Sequence, residues 1–160
     1  MTAIHCPRDF TDNPDLMNAV LTAGHDGVIK IWDRRLSQNV AQVESSSAGF
    51  GQAPFYSVAT NQSMIVGGTN EDILLWDVKK LQKPFGRFSE CHNSDITQLK
   101  FNQNGKILIS SSIDNVMSIF DFNNHDGGKR LKEDEVIDGA YSSTQPLVDC
   151  GFITDDIMWA

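Results

Sequence analysis

Short runs of apolar residues alternate with polar turn residues along this chain, and the pattern repeats. Three segments of equal length align with one another without gaps, at residues 20–33, 64–77 and 108–121. Each segment ends on an aromatic residue followed by aspartate, and the closing aspartates Asp33, Asp77 and Asp121 are 44 residues apart both times. A repeat period of about 20–50 residues indicates supersecondary units that stack on one another.

Each repeat has the pattern of two strands joined by a tight turn. Apolar and β-branched residues flank a polar residue six positions before the closing aromatic, namely Asp26, Asn70 or Asp114. In the first repeat Gly27 follows, and glycine supplies the positive φ that hairpin turns need. A further strand precedes each segment, and a weaker outer strand is expected near residues 40–43, 85–88 and 135–137. Four strands in each period predict an all-β protein of four-stranded antiparallel sheets.

The repeat resembles the WD40 family. The matching dipeptides are Trp32-Asp33, Trp76-Asp77 and the common variant Phe120-Asp121. The resemblance covers nearly the whole chain and implies β-propeller blades at about residues 1–44, 55–89, 92–138 and, incomplete, 147–160. Because propellers of this kind usually have about seven blades, we expect a partial propeller of about three and a half blades. The chain is then either a piece of a longer product or a half-ring that self-association completes.

The family often ties a blade together with a hydrogen-bonded histidine, strand serine or threonine, turn aspartate and tryptophan indole. Only the third repeat has a candidate histidine, His92, whose partners would be Asp114 and a serine among residues 110–112. Phe120 has no indole N–H, so this set lacks its last member.

The other two repeats have less complete sets. The first has Asp26 and Trp32, and the second has Asn70 and Trp76, but neither has a histidine in register. We therefore expect the blades to be stabilised mainly by apolar packing. The predicted core residues are Val20, Ile29, Ile31, Trp32, Ile65, Leu74, Trp76, Leu99, Phe101, Leu108, Ile119 and Phe120.

A candidate partner-binding motif closes the first repeat. Trp32, Asp33 and Arg35 form a Trp-Asp-x-Arg sequence, which resembles the motif by which some WD40 proteins dock onto the adaptor of a cullin-type ubiquitin ligase. Arginine offers a planar, charged fork to carboxylates or carbonyl groups. The alternative is that Arg35 is a solvated loop residue. The long loops at residues 37–54 and 123–140 are broader candidates for binding surfaces, because loops carry function on a rigid scaffold.

Composition narrows the possible partners. With a net charge of −8 and a pI near 4.8, the chain lacks the overall positive field that attracts nucleic acid or anionic membranes. No apolar run approaches the roughly 20 residues that cross a bilayer. Cys6, Cys91 and Cys150 are odd in number and widely separated, which argues against a disulfide framework and favours the cytoplasm or nucleus.

No constellation for catalysis, a metal or a cofactor emerges. Asp26, Asn70 and Asp114 occupy equivalent turns of separate repeats and should not pair. The adjacent pairs His5-Cys6 and Cys91-His92 lack the spacing of zinc ligands. We expect no enzyme activity and no cofactor, and instead a scaffold for protein–protein interaction. The first specific hypothesis is a ubiquitin-ligase substrate receptor; the second, implied by the resemblance alone, is a scaffold in an assembly for ribosome production or chromatin handling.

Overall fold

The computed structural model describes residues 3–5, 18–36, 38–49, 51–124, 130–154 and 157–159. The described chain is an array of antiparallel β-sheets with two single-turn 3₁₀ helices, Ser45–Ala48 and Glu133–Glu135. No helix in these ranges is long and apolar enough to cross a membrane. The all-β architecture of four-stranded antiparallel sheets expected from the repeat is confirmed.

Three sheets have four strands each, hydrogen-bonded in chain order. The first contains β1 (Ala3–His5), β2 (Ala19–Ala23), β3 (Val28–Asp33) and β4 (Gln38–Glu44). The second contains β5 (Ser57–Thr60), β6 (Met64–Gly68), β7 (Ile73–Asp77) and β8 (Gly86–Phe88). The third contains β9 (Ile96–Phe101), β10 (Ile107–Ser112), β11 (Val116–Asp121) and β12 (Ile137–Ser142). The short strands β13 (Gly151–Phe152) and β14 (Met158–Trp159) pair with each other.

The hairpin turns follow from local chemistry. In the first sheet Gly27 has a φ of +69°, and its amide donates to the carbonyl of Gly24. In the third sheet Asn115 takes the same left-handed conformation with a φ of +72°. Asparagine adopts this conformation more readily than most residues with a Cβ, so a turn without glycine closes at the equivalent place.

The sheets stack side by side, and the second is buried on both faces. Ile65 and Trp76 pack toward the first sheet, whereas Val66 and Leu75 pack toward the third. Successive strand residues point to opposite faces, which explains why β6 and β7 are continuous apolar runs. Gly67 lies where a Cβ would come within 2.6 Å of Ile29 in the first sheet, so glycine permits the close approach of the two sheets.

The structure corrects part of the predicted core. Val20, Trp32, Phe101 and Ile119 are only partly buried, and the other eight predicted residues are buried. Val20 and Trp32 lie on the face of the first sheet that points away from the second. Their partial burial reflects this position in the array, which the strand pattern alone does not reveal.

The outer strand of the third sheet also differs from the expectation. It was expected near residues 135–137, but a 3₁₀ turn occupies Glu133–Glu135 and β12 begins only at Ile137. The turn is closed by the amide of Val136, which donates to the carbonyl of Glu133. Within the segment 37–54, β4 contains the outer strand expected near residues 40–43, and within the segment 123–140, β12 begins at Ile137.

Loops gather at two ends of the array, here called the upper and lower ends. The upper end comprises the middle hairpins (24–27, 69–72 and 113–115) and the connections between sheets (45–49 with 51–56, 89–95, and 143–150). Backbone bonds align these loops from sheet to sheet: the amide of Phe55 donates to Gly24, and that of Ile96 donates to Thr69.

The lower end comprises the described loops at residues 34–36, 61–63, 78–85, 102–106 and 122–124. The Asn61 side chain donates from Nδ2 to the carbonyl of Gly105 at 2.8 Å and so joins the second sheet to the third. Its Oδ1 accepts the amides of Ser63 and Met64, each at 2.9 Å. This buried asparagine therefore fixes how two neighbouring lower-end loops lie against each other.

Candidate functional site

A buried polar network ties the third sheet together. His92 Nδ1 lies 3.2 Å from Asp114 Oδ2, and Nε2 lies 2.6 Å from Ser110 Oγ. Because a carboxylate only accepts, Nδ1 carries the proton and Nε2 accepts the serine hydroxyl. His92 is 1% exposed and Ser110 is 0% exposed. The structure therefore brings together the predicted His92 and Asp114 and selects Ser110 from three consecutive serines.

Asp114 also organises the surrounding backbone. Its Oδ2 accepts the amide of Asn93 at 2.8 Å, and its Oδ1 accepts the amide of Val116 at 2.9 Å. Partial burial alone would raise the pKa of Asp114, but these bonds and His92 bring it below its ordinary value. Burial lowers the pKa of His92, against the attraction of the Asp114 charge. A neutral imidazole beside a carboxylate is the resulting state.

The equivalent positions in the first sheet form a smaller set. The Trp32 indole Nε1 donates to Thr22 Oγ1 at 2.9 Å. Asp26 accepts the amide of Val28 at 3.3 Å and lies 3.9 Å from the ammonium of Lys30. The turn that contains Asp26 is exposed, so the two contacts of Asp26 compete with water and stabilise the hairpin less than the bonds of Asp114 stabilise theirs.

The second sheet departs from the expected pattern. Thr69, not Asn70, closes its turn, because Thr69 Oγ1 accepts the amide of Asp72 at 3.1 Å while Asn70 lies exposed. Trp76 is fully buried and meets the ring of Phe55 edge to face at 6.0 Å. Its indole Nε1 has no hydrogen-bond partner among the described residues. Apolar packing dominates this sheet.

The third repeat uses its closing aromatic in a different way. Phe120 stacks on Phe88 of the second sheet, with ring centroids 5.1 Å apart and an interplanar angle of 24°. Both rings are fully buried. The closing aromatic here serves packing between sheets and takes no part in the His92 network.

The candidate partner-binding motif lies at the lower end. Arg35 donates from Nε and Nη2 to the two carboxylate oxygens of Asp33, at 3.0 and 2.6 Å, and its amide donates to Oδ1 at 2.8 Å. The side-chain bond from Arg35 is the main reason that the pKa of Asp33 falls to about 2. Arg35 is 65% exposed and Asp33 is 14% exposed. The fork thus engages its own repeat while remaining open to solvent.

Sequence reasoning missed a shared role of the closing aspartates. In every described repeat the aspartate Oδ1 accepts the amide two residues further on, at 2.7–2.8 Å. The donors are Arg35, Lys79 and Asn123. Such an Asx-type bond starts the turn that leads into the outer strand. The 44-residue spacing of the aspartates is the signal that could have indicated this role.

Other candidate groups have structural surroundings. Asp26, Asn70 and Asp114 lie in the hairpins of three separate sheets and form no carboxylate pair. Burial raises the pKa of the Cys91 thiol, and the nearby Glu133 carboxylate adds to this effect. Cys6 lies outside the described residues.

An ion pair that the sequence did not indicate joins the Arg87 guanidinium to the Asp72 carboxylate, with nitrogen–oxygen distances of 2.8 and 3.1 Å.

Comparison with known proteins agrees with this architecture. The WD40 family, described as WD domain, G-beta repeat, matches residues 3–33 and 82–121. A chain of a mitotic checkpoint complex crystal structure superimposes with a TM-score of 0.69 at 16% identity, covering 88% of this chain and 38% of that one. At this identity the likeness concerns the fold alone.

Several curated proteins are similar in sequence. An uncharacterised WD repeat-containing protein of Schizosaccharomyces pombe is 29% identical over 132 residues, covering 77% of this chain and 38% of the relative. The WD repeat-containing protein GTS1 of Arabidopsis thaliana is 28% identical over 132 residues, covering 81% and 32%. A WD repeat-containing protein 89 homolog of Dictyostelium discoideum is 24% identical over 110 residues, covering 68% and 29%. The chain thus spans about a third of the length of these relatives.

Proposed function

Because this chain belongs to the WD40 repeat family, we propose that it is a non-catalytic scaffold that docks other proteins on the loops at the ends of its sheet array. Members of the family are generally protein-interaction scaffolds. The folded frame suits this role, since the sheets have continuous apolar cores and many residues of the loops are exposed. Loops on such a frame can vary in sequence without loss of the fold.

The burial of the His92 network is the observation that carries this proposal. Serine, histidine and aspartate are in hydrogen-bond contact, the arrangement that activates a serine nucleophile in hydrolases. A nucleophile must reach its substrate, but the Ser110 side chain is fully buried among the strands. Asp114 is already engaged by two backbone amides. These three groups therefore support a structural role.

The finer form of the proposal is a substrate receptor of a cullin-type ubiquitin ligase, docked through Trp32, Asp33 and Arg35. Its support is that Arg35 presents an exposed guanidinium at the lower end, held in place by Asp33. A pre-oriented fork loses less side-chain entropy on binding a carboxylate or carbonyl group. The alternative is a scaffold subunit of a larger assembly, in which Arg35 has no special part. For either role we propose the cytoplasm or nucleus as the location.

Co-purification from cells tests both levels of the proposal. Wild-type chain and the variants Arg35→Ala and Arg34→Ala are compared by affinity capture and mass spectrometry, with Arg34→Ala as the matched control because Arg34 is a neighbouring exposed arginine. A receptor role predicts that the ligase adaptor is captured and that only Arg35→Ala weakens its capture. Adaptor capture that neither variant weakens, or no adaptor at all, rejects the receptor role. Absence of any specific protein partner rejects the scaffold proposal itself.

A further inference from the structure

Charged side chains are segregated between the two ends of the array, although the chain as a whole is acidic. The five lower-end loops at residues 34–36, 61–63, 78–85, 102–106 and 122–124 contain six cationic residues and no acidic one. These cations are Arg34, Arg35, Lys79, Lys80, Lys83 and Lys106. The described upper-end loops contain seven acidic residues and no lysine or arginine. These acids are Asp26, Glu71, Asp72, Glu90, Asp95, Asp114 and Asp149.

The segregation arises from how the loops gather in space. The cationic residues belong to three loops spread over 73 positions of the chain, from Arg34 to Lys106. The connection at residues 130–136 also leaves and re-enters its sheet at the lower end, and it carries two cations and three acids. It runs along the outer edge of the second sheet, where the amide of Leu131 donates to the carbonyl of Phe85 and Glu133 accepts the amides of Ser89 and Glu90. Asp33, Asp77 and Asp121 end their strands at the lower end, and each accepts a loop amide.

A cavity opens at the lower end between the second and third sheets. Its volume is about 190 Å³, and Met64, Phe85 and Phe122 provide its apolar surface. Asn61, Asn104 and Lys106 are among its polar lining residues, as is Asp77. An engineered apolar cavity of about 150 Å³ holds a benzene molecule, so this space is large enough for one aromatic side chain.

From the cavity and the surrounding charge we propose that the lower end binds an acidic peptide segment that carries an aromatic residue. The ring enters the cavity between Phe85 and Phe122, and carboxylates on either side of it face Lys106 and the lysines of the 78–85 loop. This inference rests on the proposed docking function and names the chemistry of one partner. Cationic side chains around an apolar pocket give both affinity and selection against basic partners.

The charge distribution favours a short peptide over a nucleic acid. A nucleic acid carries negative charge at regular intervals and is much longer than the lower end is wide. It would therefore extend over the rest of the chain, whose net charge of −8 repels it. Exposed charges act over about 10 Å at 0.1 M salt, so a segment of a few residues is attracted by the lower end alone. The aromatic cavity adds a contact that a phosphate backbone does not satisfy.

Titration of the ¹⁵N-labelled 160-residue chain with a defined peptide tests the inference. The probe is acetyl-Glu-Glu-Phe-Glu-Glu-amide, and the control peptides replace the four glutamates by glutamine or the phenylalanine by alanine. We expect amide shifts at residues 61–64, 104–106 and 122, and none at the upper-end hairpins 24–27 and 113–115. Each control peptide should bind more weakly, and salt should weaken only the binding of peptides that contain glutamate.

Charge reversal provides the matched comparison. Lys106→Glu changes the charge at the cavity, whereas Lys30→Glu makes the same change to the net charge away from it, on β3 of the first sheet. Loss of one exposed attraction and gain of one repulsion should weaken peptide binding by roughly fivefold in Lys106→Glu, with little change in Lys30→Glu. The spectrum of each variant reports directly whether it is folded.

The outcomes separate this inference from the docking function. No shift at the lower end, equal effects of the two reversals, or tighter binding of a single-stranded oligonucleotide at the same residues would overturn the peptide assignment. If cellular partners are still captured, and captured equally by Lys106→Glu, the docking function stands and this surface is not its site. Absence of any specific partner rejects the docking function, whatever the peptide does.

Discussion

Replacement of Asp114 by alanine should be far more damaging than the same change at Asp26, although the two residues occupy equivalent turns. Asp114 accepts three hydrogen bonds, from His92, Asn93 and Val116, and its side chain is 10% exposed. Asp26 accepts one long bond from a turn amide, and its side chain is 56% exposed. The repeat makes the second residue a natural control for the first.

The magnitude follows from these contacts. A hydrogen bond to a charged group contributes about 1.5–3 kcal/mol, and a buried donor left without a partner costs about 1–3 kcal/mol. Asp114→Ala removes three such bonds and leaves the buried imidazole N–H of His92 unpaired. Since contributions within one network are not additive, we expect a total loss of about 3 kcal/mol in the free energy of unfolding. Asp26→Ala should cost about 0.5 kcal/mol, because its bonds are exposed.

Urea denaturation followed by tryptophan fluorescence and circular dichroism measures both losses. Buried Trp76 reports on the second sheet, and circular dichroism reports on all strands. The slope of free energy against urea should be the same in wild type and variants, so that shifts in midpoint reflect stability. Asp114→Asn, which keeps the shape and an acceptor oxygen, should fall between wild type and alanine. Equal costs at the two positions, or a cost below about 1 kcal/mol for Asp114→Ala, would refute the argument.

Three further predictions concern the neighbouring groups. The pKa of His92 in the folded chain is below its ordinary 6.5, so as pH falls through 6.5 the histidine of the unfolded chain is protonated first. The free energy of unfolding should therefore decrease from pH 7 to 5. His92→Gln should reduce this dependence of the unfolding free energy on pH, as measured by urea titrations at each pH. Phe120→Ala removes the ring that stacks on Phe88 and should cost about 3–5 kcal/mol in thermal or urea unfolding. Arg35→Ala should raise the pKa of Asp33 from about 2 toward 3.8 in carboxyl NMR titrations, because the two side-chain bonds that stabilise the charged carboxylate are lost.

Each of these predictions has a result that would contradict it. An unchanged pH slope in His92→Gln would mean that other groups determine it. A small cost of Phe120→Ala would mean that the second and third sheets do not share one core. An unchanged titration of the Asp33 carboxyl in Arg35→Ala would exclude the arginine as the cause of its low pKa.

The polar network shows how far sequence pattern reaches. The resemblance to the WD40 family implies that His92 and Asp114 meet, because the family often bonds a histidine ahead of a blade to the aspartate of its middle turn. Three consecutive serines compete for the remaining place. The pleat separates Ser111 from its two neighbours, and the irregular pairing between Ser111 and Ser112 separates Ser112 from Ser110. The structure selects Ser110, whereas Ser112 donates instead to the carbonyl of Ser94.

The second sheet shows where pattern fails. Alignment with the other repeats predicts that Asn70 closes the turn, but Thr69 takes that part. Both residues can accept a turn amide, so the choice depends on the exact hairpin geometry. A one-residue difference of this kind lies below what a repeat alignment resolves. Likewise, the outer strand β12 is largely exposed, and its weak apolar pattern gave too little signal to place it.

The sequence by itself determined the repeat period, the four-stranded units and eight of the twelve predicted core residues, because these depend on local alternation of apolar and polar residues and on turn chemistry. Only the tertiary structure decided which face of each sheet is covered, which serine joins the network and where the charges collect. The five described lower-end loops together are cationic because antiparallel strands return alternate loops to the same side and stacked sheets bring those loops together. The net charge of −8 is a sum over the whole chain. It therefore does not show that acidic and cationic loops lie at opposite ends of the folded sheets.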